Sequence, residues 1–191
     1  MLQPQAQNQE KRFDTDYYVE GYATTFNKPY ILYEYDGIKY YEVIDRHALD
    51  SADMSDVIFQ YDHKSRVYAR KSNNTLIVEP DSNGLFICAD LSKSEAAKGM
   101  YEEINNGLVT KMSWAFVVEE DSYNSDTRTR TILKIKKVYD VSAVSIPASE
   151  DTEISARSYF DGVIEVEKRE LLVRELNKKK LNLKLKLMEV K

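Results

Sequence analysis

Short runs of β-branched and aromatic residues, broken at close intervals by turn residues, most limit the folds open to this chain. Tyr30–Tyr35 and Ile38–Ile44 flank Asp36-Gly37. An Asp-Gly pair between such runs favours a two-residue primed turn, and hence a hairpin. Residues 75–79 and 85–90 flank Asp81-Ser82-Asn83-Gly84, which reads as a second hairpin with a longer turn. Further strand-like runs fall at 17–23, 57–61, 111–119, 128–138 and 140–146, with a short extended piece at 67–69. Gly21 inside the first run marks a bulge or a close approach. Residues 45–56 read as a loop with one helical turn, and 120–127 as a polar loop. One stretch of the body keeps a helical period. Ser94 is its N-cap, Glu95 lies in its first turn, and Ala96, Met100 and Ile104 share a face. Asn105-Asn106-Gly107 stops it. Fourteen tyrosines suit half-buried pleated surfaces. The expectation is a mainly β protein with flanking helices, of the α+β class.

The chain has 191 residues, enough for one domain and an appendage. Residues 1–15 are polar and Gln-rich and read as a disordered N-terminal segment. Residues 16–160 form the expected domain. Residues 161–191 are a basic tail, helical over 163–180, where Leu171, Leu172, Val173 and Leu176 are the apolar positions. Residues 180–187 alternate strictly, a strand period written in helix-forming residues. The formal charge of −5 is unevenly spread. Residues 168–191 carry +6, which leaves −11 on residues 1–167. An acidic body argues against a specific nucleic-acid partner; the tail suits something acidic, the body itself included. The single cysteine, Cys88, allows no disulfide within the chain and fits a reducing compartment as a small buried hydrophobe. Neither Cys88 nor the two histidines have metal-ligand spacing, so no metal is expected. No signal-peptide pattern or membrane-length apolar run is present, and a soluble cytosolic protein is the expectation.

Residues 107–116 carry the chemistry. In a strand, Met112, Trp114 and Phe116 point one way, and Ser113, Ala115 and Val117 the other. The large side chains suit the core, which leaves Ser113 beside a small alanine with room for a substrate. The bland alternative is a serine on a solvated sheet face. His63 follows the run 57–61, where the sheet fixes a side chain that still reaches a cleft. His47 lies in a polar loop after Asp45-Arg46. Asp140 opens a strand two residues before Ser142, on the same face. A hydroxyl, an imidazole and a carboxylate are the parts of a nucleophilic hydrolase. No Gly-x-Ser-x-Gly elbow is present, so an α/β-hydrolase is excluded.

In order along the chain come Val19 to Asn27, Tyr41-Glu42-Val43-Ile44 with Ala48-Leu49, Phe59 to His63 with Val67 to Arg70, Thr75-Leu76, Gly84-Leu85, Gly107 to Phe116 and Val141 to Ala148. This ordered set, spanning roughly 17–157, resembles the tailed-phage prohead (capsid maturation) serine protease family. That family is thought distantly similar to the herpesvirus assembly proteases. The resemblance implies an antiparallel β-barrel of the assemblin type. It implies a serine endopeptidase that cleaves capsid and scaffold proteins during prohead assembly and clips itself, with a homodimer allowed and no cofactor needed. Its place would be the host cytoplasm, inside the assembling prohead, away from any membrane. By the same resemblance His63, Ser113 and Asp140 form the triad. Members commonly carry Gly at the position of Ala115 and Glu at that of Asp140; an aspartate is one methylene shorter, so its strand must stand closer. The herpesvirus enzymes use a second histidine as third member, a role for which His47 is the candidate here. The rival readings are a non-catalytic assembly module of the same fold and a general serine hydrolase. The turns near Lys64-Ser65-Arg66 are the candidate oxyanion donors.

Overall fold

A computed structural model describes residues 11–145, 169 and 172–180. The protein is mainly β. Its strands run β1 (Tyr18–Thr25), β2 (Tyr30–Tyr35), β3 (Ile38–Ile44), β4 (Ile58–Tyr61), β5 (Lys64–Arg70), β6 (Leu76–Pro80) and β7 (Gly84–Asp90). After these come the helix α1 (Glu95–Asn105), β8 (Lys111–Asn124) and β9 (Thr129–Val144). Residues 172–180 are also helical, with Leu172, Val173 and Leu176 exposed. Most of residues 1–15, and the alternating stretch after Lys180, lie outside the described residues.

The strands form two sheets. One has the order β1-β7-β6; the other runs β2-β3-β9-β4-β5, with β8 paired to β9. No closed barrel is found among the described residues. The second sheet is mixed rather than antiparallel. β9 runs parallel to β3 over Thr129 to Ile132 and parallel to β4 over Asp140 to Ala143. Hairpin signals reveal only local antiparallel pairs. These two parallel ladders join segments far apart in sequence, which no local signal encodes.

The local chemistry explains most element ends. Asp36 and Gly37 both have positive φ, 50° and 74°, as a primed two-residue turn requires. Ser94 Oγ accepts the Ala97 amide at 3.1 Å and caps α1. Gly107, at φ 72°, ends it. Its N–H reaches the Ile104 carbonyl, and the Leu108 N–H reaches that of Glu103, which together make a Schellman motif. The buried face of α1 is Ala97, Met100 and Ile104, so the stripe begins one residue later than Ala96.

Two expected elements are longer than the apolar pattern suggests. β8 continues through the acidic stretch to Asn124, where a polar loop was expected, and the runs 128–138 and 140–146 merge into β9. Charge pairing explains the first. Arg130 Nε donates to Asp121 Oδ2 at 2.7 Å, and Arg130 Nη1 to Glu42 Oε2 at 3.4 Å. Tyr30 donates to Glu42, whose carboxyl burial pushes above its usual range. Opposite charges facing each other across strands hold a ladder that hydrophobicity alone would not.

The core gathers Val19, Ile44, Leu49, Val57, Phe59, Leu85, Ile87, Trp114, Ile132, Ile135 and Val141, all buried. Cys88 is fully buried, and burial pushes its thiol up to about 11. Within the first sheet, the backbones of β1 and β7 come close at Gly84. A Cβ on Gly84 would lie 2.0 Å from the Thr24 carbonyl oxygen, beside the bulge of β1 between Tyr22 and Thr24. Backbone cannot step aside as a side chain can. Gly84→Ala is therefore expected to cost about 3 kcal/mol, the upper end of overpacking, measured as a lower midpoint in denaturant unfolding.

Candidate active site

β8 and β9 build the floor of the site. Ser113 lies directly across from Ser142, and Ala115 directly across from Asp140. Directly opposed residues of an antiparallel pair project from the same face, with Cβ atoms about 5 Å apart. Ser113, Ala115, Asp140 and Ser142 therefore share one face of the sheet. The other face goes to the core. Trp114 is buried against Val141, and its ring centroid lies 4.2 Å from that of Phe116. Ser113 and Ala115 are half-buried, and Val117 is exposed.

His63 arrives from the far side of β9. β4 and β5 form a hairpin in which Tyr61 pairs with Lys64, so Asp62 and His63 are its two-residue turn. Both have positive φ, 47° and 54°. That is a primed turn without glycine, and it carries a local backbone cost that aspartate and histidine tolerate better than most other side chains. Residues 64–66 open β5, directly after this turn. The Asp62 N–H donates to the Ala143 carbonyl at 3.0 Å and pins the turn to β9.

The pinned turn lays the imidazole on Asp140. His63 Nδ1 lies 2.7 Å from Asp140 Oδ1, with both side chains almost wholly buried, at 6% and 7% exposure. A carboxylate only accepts, so Nδ1 carries the proton, and the neutral ring keeps its lone pair on Nε2. The shorter aspartate thus reaches the ring from β9 without a longer side chain. Nε2 is buried and has no hydrogen-bond partner, Ser113 Oγ included. The structure therefore brings His63 and Asp140 into contact and puts Ser113 on their face, without a bond between Ser113 and the ring.

His47 sits elsewhere. It is 65% exposed on the loop between β3 and β4, and its Nδ1 meets Asp50 Oδ2 at 3.0 Å. The residue that sequence reasoning left without a role is Ser142. It is fully buried, donates to Asp140 Oδ1 at 2.7 Å and accepts the His63 backbone N–H at 3.3 Å. The signal was present as Asp-x-Ser at i and i+2 of one strand, which puts both side chains on one face.

Among the described residues, no cluster of three or more His, Cys, Asp or Glu could hold a metal ion, and no helix is long and apolar enough to cross a membrane.

A serine, an imidazole and a buried carboxylate on one face of a mixed sheet are the groups a serine peptidase is built from. The comparison with protein families agrees in class: the family model for the caudovirus prohead serine protease matches residues 5–163, and the chain belongs to that family. It is accordingly a serine protease of the prohead and capsid-maturation type. No curated protein and no solved structure matches the chain.

Proposed function

We propose that this chain is the endopeptidase that cleaves capsid and scaffold proteins as the prohead matures, with Ser113 as nucleophile, His63 as general base and Asp140 as the group that holds His63. The observation that carries this reading is the 2.7 Å contact from His63 Nδ1 to Asp140 Oδ1. It leaves Nε2 as the free base on the face that bears Ser113. Nε2 takes the Ser113 proton as Oγ attacks a peptide carbonyl carbon. Asp140 stabilises the imidazolium so formed. The ring then returns its proton to the leaving amine, and water repeats the cycle on the acyl-enzyme. Backbone N–H groups near Ser113 receive the oxyanion, at about 3–4 kcal/mol for each donor. Substrates are capsid-related proteins, this chain among them, and the basic tail is the segment to examine for self-cleavage or scaffold attachment. A β-barrel, in the manner of the herpesvirus assembly proteases, remains part of the proposal.

One observation favours a second reading, a non-catalytic assembly module. Nε2 is buried and not bonded to Ser113. Catalytic contacts are often loose without substrate and tighten in the Michaelis complex, so the first reading stands. A fluorophosphonate probe separates the two. The wild-type chain is expected to take one label, found on Ser113 by peptide mass mapping. A chain that takes no label, or is labelled only elsewhere, would establish the second reading or a different site.

A further inference from the structure

We infer that Ser142 is a positioning residue of the catalytic machinery, acting on His63 through Asp140 and through the His63 backbone. The inference rests on the assignment of Ser113, His63 and Asp140 given above. Three hydrogen bonds close a ring that begins and ends on His63. Its backbone N–H donates to Ser142 Oγ at 3.3 Å, Ser142 Oγ–H donates to Asp140 Oδ1 at 2.7 Å, and the imidazole Nδ1–H donates to that same oxygen at 2.7 Å. The backbone and the ring of one histidine are thus tied to a single strand by a single hydroxyl and a single carboxylate.

Position and burial argue that this is more than a satisfied core serine. Ser142 is fully buried, so its hydroxyl has no water to turn to, and both its bonds go to the two residues the reaction needs. It faces Ser113 directly across β8 and β9, and Gln60 on β4 is its other neighbour in the sheet. It stands between the nucleophile's strand and the base's strand. The turn it braces has no glycine to ease its backbone, since Asp62 and His63 sit at φ 47° and 54°. Without the hydroxyl the carboxylate loses one of its two donors, and the His63 N–H loses its acceptor. The ring is then freer to leave the orientation that its bond to Asp140 gives it.

A hydrogen bond to a charged group is strong enough that its loss changes a rate roughly tenfold to a hundredfold. The test is the rate constant for fluorophosphonate labelling of Ser113, measured beside the final stoichiometry of label, with the full-length chain. Ser142→Ala is expected to keep the stoichiometry and lose roughly tenfold to a hundredfold in rate constant. With a peptide substrate kcat should fall while KM holds. Ser142→Cys, nearly isosteric with a weaker donor, is expected to fall between the two. In an Asp140→Ala background, which removes the shared acceptor, Ser142→Ala should cost much less than it does alone, because the two residues act as one unit.

If Ser142→Ala labels at the wild-type rate constant, with only its stability or stoichiometry lowered, Ser142 is a core residue and the inference is overturned. Equal losses in both backgrounds would overturn the route through Asp140. Should the Ser142→Ala chain fail to fold, the Ser142→Cys rate constant decides: a wild-type value refutes the role. Failure of the underlying assignment looks different, because the wild-type chain itself would then not be labelled on Ser113.

Discussion

Ser113→Ala is expected to stop processing of the cognate capsid protein on co-expression, with a loss of kcat on the order of a millionfold in a purified assay. Removing the nucleophile removes the covalent route altogether; substrate binding and oxyanion donors retain only a residual acceleration. The fold should survive. Ser113 is half-buried, its neighbour Ala115 already shows that a methyl is accepted on that face, and β8 is held by its long ladder to β9. Near-wild-type unfolding together with lost processing is thus the expected pair of results. The same substitution speaks to the rival assignments. A non-catalytic module would lose nothing in assembly, and a general esterase would lose turnover of small esters that a capsid protease never had. Unchanged capsid processing by the Ser113→Ala chain would refute the site.

How far the sequence carries depends on whether the physics is local. The β2-β3 hairpin was legible to the residue, because Asp36-Gly37 dictates its turn from within. So were the cap of α1 at Ser94 and its stop at Gly107, each a local hydrogen-bond device. The far half of β8 was not, because Asp121 is held there by Arg130 across the ladder and no apolar alternation announces it. The closeness of Gly84 to β1 depends on a bulge sixty residues upstream, at roughly Tyr22 to Thr24. The site divides in the same way. The outward face of Ser113 and the shared face of Asp140 and Ser142 follow from strand alternation. The tight turn at Asp62-His63 was hidden because neither residue is glycine or asparagine, yet that turn swings the imidazole over β9. The parallel pairing of β4 with β9, which sets Ile58 beside Asp140, is a long-range fact with no local signature.

Asp140→Ala is expected to lower kcat on the order of ten-thousandfold, and Asp140→Asn by only about a hundredfold to a thousandfold. The difference follows from an asymmetry in the carboxylate. Both of its donors, the His63 ring and the Ser142 hydroxyl, converge on one oxygen, Oδ1. An asparagine that turns its carbonyl oxygen to that position still accepts both bonds. The proton then stays on Nδ1, and Nε2 keeps the lone pair it needs as a base. What is lost is the charge that steadies the imidazolium in the transition state, in a pocket where Asp140 is only 7% exposed and water screens little. Alanine removes the charge and the acceptor together, leaving two buried donors unpaired and the ring free to turn. Nitrogen-15 spectra of the His63 ring would report the tautomer directly, and it should be the same in the wild-type and Asp140→Asn chains. If Asp140→Asn falls as far as Asp140→Ala, or its ring carries the proton on Nε2, then Oδ1 is not the hinge of the site, and the hold on His63 must come from its turn and from Ser142 alone.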